Sequence, residues 1–404
     1  MTLALFTAQI GHYHDARYSA VAAAGAEFTV IVTQNEADFS EFMASGTGSY
    51  PVQHLFEGRA AYRKACATGR VWSSVHTSLS MLDPSVVIVA GWATPESFAA
   101  IAWARRNCRR LVMLSESQVN DAARSAWRER VKARVVGLCD AAVVGGPSHL
   151  DYIVRLGMPH KRVFMGYDAV DNAYFASGAE AARKNKMAVR STLRMPAHYL
   201  LASARFIPKK NLPRLVMAYA KALKGRAEAP DLVILGDGPE LGLVEAAIAT
   251  EGLTGRVHLP GFRSYGELPA LYGLSDGFVH VSTSEQWGLV INEAAASGVP
   301  VVASTACGAT GPLVEDGVTG FVADGESEES IKNALVRLIE LERSRRAEMG
   351  RAARERVAGW GTDRFSEGLL AACRIAENSR PRGLAPWDAM LLWKLSKRSI
   401  DVVQ

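Results

Sequence analysis

Short apolar runs, many of them β-branched, recur along the chain with helically spaced segments between them. A continuous apolar run marks a strand buried on both faces, and alternation of such runs with helices marks a parallel sheet. In the first half the pattern predicts strands at 3–6, 28–32, 86–90, 111–114, 141–144 and 162–164. In the second half it predicts strands at 199–203, 232–235, 257–259, 278–281, 301–303 and 320–322. Each half reads as its own doubly wound α/β domain. Beyond about residue 360 the strand pattern stops, and amphipathic helical stretches follow at 363–377 and 387–397. The seam is placed at Val170-Asp171-Asn172-Ala173-Tyr174-Phe175 and the polar, less strongly patterned residues after it. The expected division is a first domain over 1–175, a second over 186–360, and a helical tail over 361–404 that packs back on the first.

A length of 404 residues suits two cores rather than one. Apolar residues at 49% and charged residues at 22% exclude a disordered or fibrous chain. No apolar stretch reaches the roughly 18 to 20 residues of a membrane-spanning helix. The opening run Met1-Thr2-Leu3-Ala4-Leu5-Phe6 has no basic residues before it, so it reads as a buried strand and not as a secretory signal. Cys66, Cys108, Cys139, Cys307 and Cys373 are odd in number and lack CxxC or metal-ligand spacing. Reduced thiols in a cytoplasmic protein are therefore expected. A net charge of +5 fits a phosphate-rich ligand or an anionic surface, and also many proteins that bind neither.

In open α/β sheets, ligands sit outside the carboxyl ends of the strands, so chemistry is sought just after each run. After the run at 278–281 comes Ser284-Glu285-Gln286-Trp287-Gly288-Leu289-Val290-Ile291-Asn292-Glu293, closed by Gly298 and Pro300. Gly288 can bring backbone N–H groups close to a ligand where a helix begins, and such a start attracts phosphate. Glu285 precedes that helix and Glu293 lies in its second turn, where two carboxylates can accept paired hydrogen bonds from sugar and ribose hydroxyls. The bland alternative is an acid favouring the helix dipole and a solvent-facing helical Glu. After the run at 199–203 comes Ser203-Ala204-Arg205-Phe206-Ile207-Pro208-Lys209-Lys210-Asn211-Leu212-Pro213. The planar fork of Arg205 and the point charge of Lys210 suit a diphosphate, with Asn211 as the expected N-cap of the next helix. The turn at Gly236-Asp237-Gly238-Pro239 is read as structural, whereas Leu259-Pro260-Gly261-Phe262-Arg263 can lay an aromatic face along a nucleobase.

Taken together these segments resemble the family 4 retaining glycosyltransferases, group 1, whose fold is the two-Rossmann-domain architecture called GT-B. The resemblance covers about residues 199–325, through the Glu285-to-Glu293 string, the Arg205 and Lys210 pair, the Gly-Asp-Gly-Pro turn and the closing segment from Glu315 to Val322. It implies two Rossmann-like domains facing a cleft between them. It further implies that Arg205 and Lys210 hold the donor diphosphate with the amides around Gly288 and Leu289. Glu293 would bind the ribose, and Glu285 the donor sugar. Phe262, Arg263, Trp287 and Val290 complete the donor-binding set. Glu285, Arg205 and Lys210 are the residues expected to carry catalysis, with no divalent metal and no other cofactor. The implied partners are a UDP- or GDP-linked sugar donor and a glycan or lipid-linked acceptor in cell-surface polysaccharide or glycolipid synthesis, with no nucleic acid.

The first half departs from the family pattern. Its first loop, Gln9-Ile10-Gly11-His12-Tyr13-His14-Asp15, has one glycine, and Leu114 runs into Ser115-Glu116-Ser117 where many members place a His. Gly11, His12, His14, Ser115 and Glu116 are candidates for the acceptor or sugar side. The alternatives are polar loop residues and a helix-capping network. The basic stretch from Arg124 to Arg134, with Trp127, can rest on an anionic membrane or form an ordinary solvated helix face. Peripheral contact with the inner face of the plasma membrane is therefore an expectation. The rival readings are a nucleotide-sugar epimerase, a glycosyl phosphorylase, or a nucleotide-sugar binding module without catalysis. A nicotinamide dehydrogenase is disfavoured because no strand–GxGxxG–helix unit occurs.

Overall fold

A computed structural model describes residues 1–34, 50–121 and 124–397. The chain divides into two compact units, Met1–Ala169 with Thr362–Gln404, and Val170–Gly361.

Among the described residues the first unit carries seven parallel strands: β1 (Thr2–Thr7), β2 (Glu27–Val32), β3 (Val52–His54), β4 (Val86–Ala90), β5 (Arg110–Ser115), β6 (Ala141–Val144) and β7 (Val163–Met165). Their order across the sheet is β3-β2-β1-β4-β5-β6-β7. Register is set by pairs such as Leu5 with Val30 and Ile88 with Val112. The strands are apolar almost throughout because helices cover both faces, so every side chain from Leu3 to Phe6 and from Val86 to Val89 is buried. Strand β3 escapes the apolar pattern because it is the edge strand, where Val-Gln-His is only partly covered. On one face lie Phe98, Ile101, Trp103 and Ile153, joined by Leu392 and Leu395 of the helix Pro386–Ser396. On the other lie Tyr18, Val21 and Phe365, Leu369 and Cys373 of the helix Thr362–Glu377. The final helices thus complete the core of the first unit.

The second unit carries six parallel strands: β8 (Tyr199–Ser203), β9 (Asp231–Leu235), β10 (Val257–His258), β11 (Gly277–His280), β12 (Val301–Ser304) and β13 (Gly320–Ala323). Their order is β10-β9-β8-β11-β12-β13. The seam differs from expectation. Val170–Phe175, assigned from sequence to the first domain, belongs to the second unit. Residues 176–186, expected to be weakly ordered in pattern, mostly form the helix Asn172–Lys184, capped by the Asp171 side chain, which accepts from Tyr174 N at 2.9 Å. Its apolar stripe is made mostly of alanine (Ala176, Ala179 and Ala182 beside Phe175), which buries well but gives a weak hydrophobic signal.

Candidate active site

In each sheet the strand order reverses once, between β1 and β4 in the first unit and between β8 and β11 in the second. At such a point the following loops run in opposite directions and leave a crevice at the carboxyl ends. The two motifs singled out in the second half follow β8 and β11, the strands on either side of its reversal.

Arg205 lies two residues past the end of β8 and is exposed, and its side chain makes no hydrogen bond or ion pair with any other described residue. Lys210 closes the short 3-10 turn Pro208–Lys210. Its Nζ donates to Glu285 Oε2, and Lys209 Nζ lies 3.8 Å from Glu285 Oε1. Lys210 and Glu285, expected to grip different parts of a ligand, therefore touch each other. Behind them His280, the last residue of β11, brings Nε2 to 3.4 Å from Glu285 Oε2 and 3.2 Å from Ser282 Oγ. Burial alone would push the Glu285 carboxyl up. The hydrogen bond from His280 and the positive charges of Lys210 and His280 outweigh it and hold the acid well below the usual carboxylate range. Burial opposes a charged His280, but hydrogen bonds to Cys307 and Glu285 prevail and raise it.

Gly288 occupies the N-cap of the helix Leu289–Ala296 at φ +100°, a backbone conformation that side chains disfavour. Leu289 and Val290 open the helix and are partly exposed, as Gly288 is. Trp287 is 2% exposed, donates from Nε1 to Asn292 Oδ1 at 2.8 Å and packs its ring 5.2 Å from that of Trp360. Its indole is packed inward, so any part Trp287 takes in the expected donor set falls to its backbone. Glu293 is 1% exposed and accepts from the Tyr272 hydroxyl at 2.6 Å, so it is a buried, oriented carboxylate. Asn211 holds the N-cap position of the next helix, but not by capping. Its backbone is left-handed and its amide donates to Val281 O at 3.0 Å and Gly325 O at 2.7 Å, tying β8's loop to the end of β11. Phe262 is 40% exposed, and Arg263 is held by Glu267 at 3.2 Å. The turn at Gly236 is structural: a Cβ there would meet Ala204 O at 1.9 Å, and Phe206 N donates to Asp237 O at 2.8 Å.

In the first unit, Gly11 precedes the helix His12–Ala23 and its N–H donates to His14 Nδ1 at 3.4 Å. His12 is the first residue of that helix and partly exposed. Burial, with the Arg17 guanidinium beside it, pulls the His14 imidazole down to about 3, so it is neutral near pH 7. Ser115 is buried at the end of β5 and accepts from Ser117 N at 3.3 Å. Glu116 faces Asp168: burial, then the Glu116 charge, raises the Asp168 carboxyl well above its ordinary range. Two features were not read from the sequence. His280 and Tyr272 orient the two acids, and Gly91 and Trp92 follow β4 at the first unit's reversal point. Only strand order reveals the latter.

Of the cations between Arg124 and Arg134, three are engaged within the first unit. Arg124 donates to Val119 O at 2.6 Å and Tyr152 Oη at 2.8 Å, Lys132 to Glu129 at 3.0 Å, and Arg134 to both oxygens of Asp388 at 2.6 and 2.9 Å. Arg128 and Arg130 are exposed. Among the described residues no helix is long and apolar enough to cross a membrane.

Comparison with known proteins agrees with the fold. Residues 184–356 match the model of the family described as glycosyl transferases group 1. A GDP-mannose-dependent alpha-(1-6)-phosphatidylinositol monomannoside mannosyltransferase of Mycobacterium tuberculosis is 31% identical over 213 residues, 51% of this chain and 53% of that protein. A D-inositol 3-phosphate glycosyltransferase of Salinispora tropica is 31% identical over 263 residues, 60% of this chain and 54% of that protein. The matches thus span about half the length of these relatives. Among solved structures, Anabaena HepE in complex with UDP and glucose superposes with TM-score 0.70 at 19% identity, covering 93% of this chain and 99% of that one. A glycosyltransferase from Rickettsia africae superposes with TM-score 0.72 at 15% identity, covering 94% and 99%. With two parallel sheets of seven and six strands among the described residues the chain has the GT-B fold, and the segment that matches the glycosyl transferases group 1, residues 184–356, lies in the second unit.

Proposed function

We propose that this chain moves a sugar from a UDP- or GDP-linked donor to a glycan or lipid-linked acceptor, with retention at the anomeric carbon and without a divalent metal. The reaction class suits cell-surface polysaccharide or glycolipid synthesis. The observation that carries this reading is the convergence of Lys210, Glu285 and the helix start at Gly288 beside the β8/β11 reversal, with the Arg205 guanidinium unengaged on the same edge.

The chemistry follows from charge. As the bond from C1 to the diphosphate oxygen loosens, negative charge grows on the leaving group and positive charge on the sugar ring. Lys210 can exchange its partner, giving the phosphate the ammonium that it now gives to Glu285. Arg205 adds a bidentate fork, and the amides at Gly288 and Leu289 add oriented dipoles. Two cations and a helix start together do the work that a metal does elsewhere. Glu285, released from Lys210 yet kept ionised by His280, accepts from donor hydroxyls. Glu293, fixed by Tyr272, suits the ribose, and Phe262 a base. The acceptor hydroxyl then attacks C1 from the face the diphosphate leaves and passes its proton to the departing phosphate oxygen. The names of the mycobacterial and Salinispora relatives support a polyol or inositol-lipid type of acceptor.

A thermal-shift screen over UDP-, GDP- and ADP-sugars, with NAD as control, identifies the donor, since a ligand at a hundred times its Kd stabilises the fold by about 2.7 kcal/mol. Product anomeric configuration is then read by NMR with donor and acceptor present, in EDTA. Inversion, sugar isomerisation without acceptor, dependence on free phosphate, or activity lost in EDTA and restored by Mn²⁺ each overturns the corresponding part of the proposal.

A further inference from the structure

The helix Pro386–Ser396 has two unlike faces. Inward, Leu392 and Leu395 join the first unit's core and Asp388 receives Arg134. Outward, Trp387, Met390 and Trp393 are 65%, 55% and 45% exposed, and Lys394 and Lys397 are exposed beside them. Their spacing of three and four residues puts all five on one stripe. Lys397 Nζ lies 3.6 Å from the centroid of the Trp393 ring. The only acid of the helix, Asp388, is on the inward side and already paired, so the stripe is aromatic and cationic without a negative charge. The Arg134–Asp388 pair also joins it to the helix Ala126–Val136, on which Trp127 and Arg130 lie seven and four residues before Arg134, along the same side.

Two indoles and a methionine exposed on one helix face are costly in water for a surface with no partner. Tryptophan next to lysine is the composition favoured where a protein meets a bilayer: the amphipathic ring sits at headgroup level and the ammonium pairs with lipid phosphate. We propose that this face docks on an anionic lipid bilayer, Trp387, Met390 and Trp393 entering the interface and Lys394 and Lys397 pairing with acidic headgroups. The inference deepens the lipid-linked acceptor reading, because such an acceptor requires the enzyme at the membrane surface. Its readout is vesicle binding, so it can fail while sugar transfer stands.

The test is sedimentation of the full chain with vesicles of phosphatidylcholine, alone or mixed with phosphatidylglycerol. The wild type should pellet with the anionic vesicles and release with rising salt. Trp387→Ser with Trp393→Ser, and separately Lys394→Glu with Lys397→Glu, should bind about tenfold or more weakly. Leu243→Ser, which removes an exposed apolar residue (58%) from the second unit, should bind normally. Transfer to a water-soluble acceptor should be unchanged in all of these variants. Equal binding by wild type and the stripe variants, or no preference for anionic lipid, overturns the proposal. So does a wild-type dimer that becomes monomeric in the tryptophan variant, because the stripe then covers a second copy of the chain.

Discussion

Lys210 and Glu285, 75 residues apart, form an ion pair whose side chains are only 14% and 13% exposed, and His280 touches the same carboxylate oxygen. In the proposed reaction a cation so placed is desolvated and aimed before the donor phosphate arrives, so little reorganisation is needed when it changes partner.

Lys210→Ala and Arg205→Ala should each lower turnover roughly a hundredfold or more, since removing one oriented charge from a dry site raises a barrier by about 2.7–4 kcal/mol. Steady-state kcat measured with saturating donor checks this. Near-normal rates in both variants would remove the diphosphate role.

The Glu285–His280 contact gives stability a pH window. Glu285 is held below its ordinary 4.5, so its contribution is complete above that value and lost as pH falls through the lower folded value. His280 is raised above 6.5, so its contribution is complete below 6.5 and lost as pH rises through the folded value. The gap in urea midpoint between wild type and the double variant His280→Gln, Glu285→Gln should therefore be widest between pH 4.5 and 6.5. A gap that is flat from acid to alkaline pH would contradict the assignment.

Gly288→Ala should destabilise by about 1–3 kcal/mol, because φ +100° is strained for any side chain, although the added Cβ meets nothing nearer than Ile291 Cδ1 at 3.4 Å. Gly242→Ala provides the contrast: it sits within the helix Leu241–Thr250 with open space at Cβ, and should stabilise by about 0.5–1 kcal/mol. Thermal denaturation of both reads the difference, and weaker nucleotide binding by Gly288→Ala alone ties the backbone to the site.

Tyr272→Phe removes the hydroxyl that holds the buried Glu293 carboxylate, at a cost of about 1.5–3 kcal/mol. The same variant should weaken binding of the nucleoside diphosphate in the proposed reaction, because an acid held less firmly pairs less well with vicinal hydroxyls. Calorimetric titration with UDP and GDP checks it, and unchanged affinity would leave Tyr272 a purely structural role.

What the chain determined by itself was local. The apolar runs place twelve of the thirteen strands found among the described residues, and the motifs stand directly after β8 and β11 because strand, turn and helix start are written within a few adjacent residues. The edge strand β3 and the alanine-striped helix Asn172–Lys184 were illegible, since partial burial and small side chains leave little hydrophobic signal. Tertiary structure decided everything that joins distant residues. Strand order alone makes β8 and β11 neighbours and creates a reversal between them. It sets Lys210 on Glu285, seats Tyr272 against Glu293, and turns Trp287 inward onto Asn292 and Trp360. It also ties up Arg124, Lys132 and Arg134 in ion pairs while leaving the stripe at Trp387 and Trp393 outermost. A side chain's type is visible in the sequence, but whether its charge or ring faces water or another residue depends on packing partners tens to hundreds of residues away.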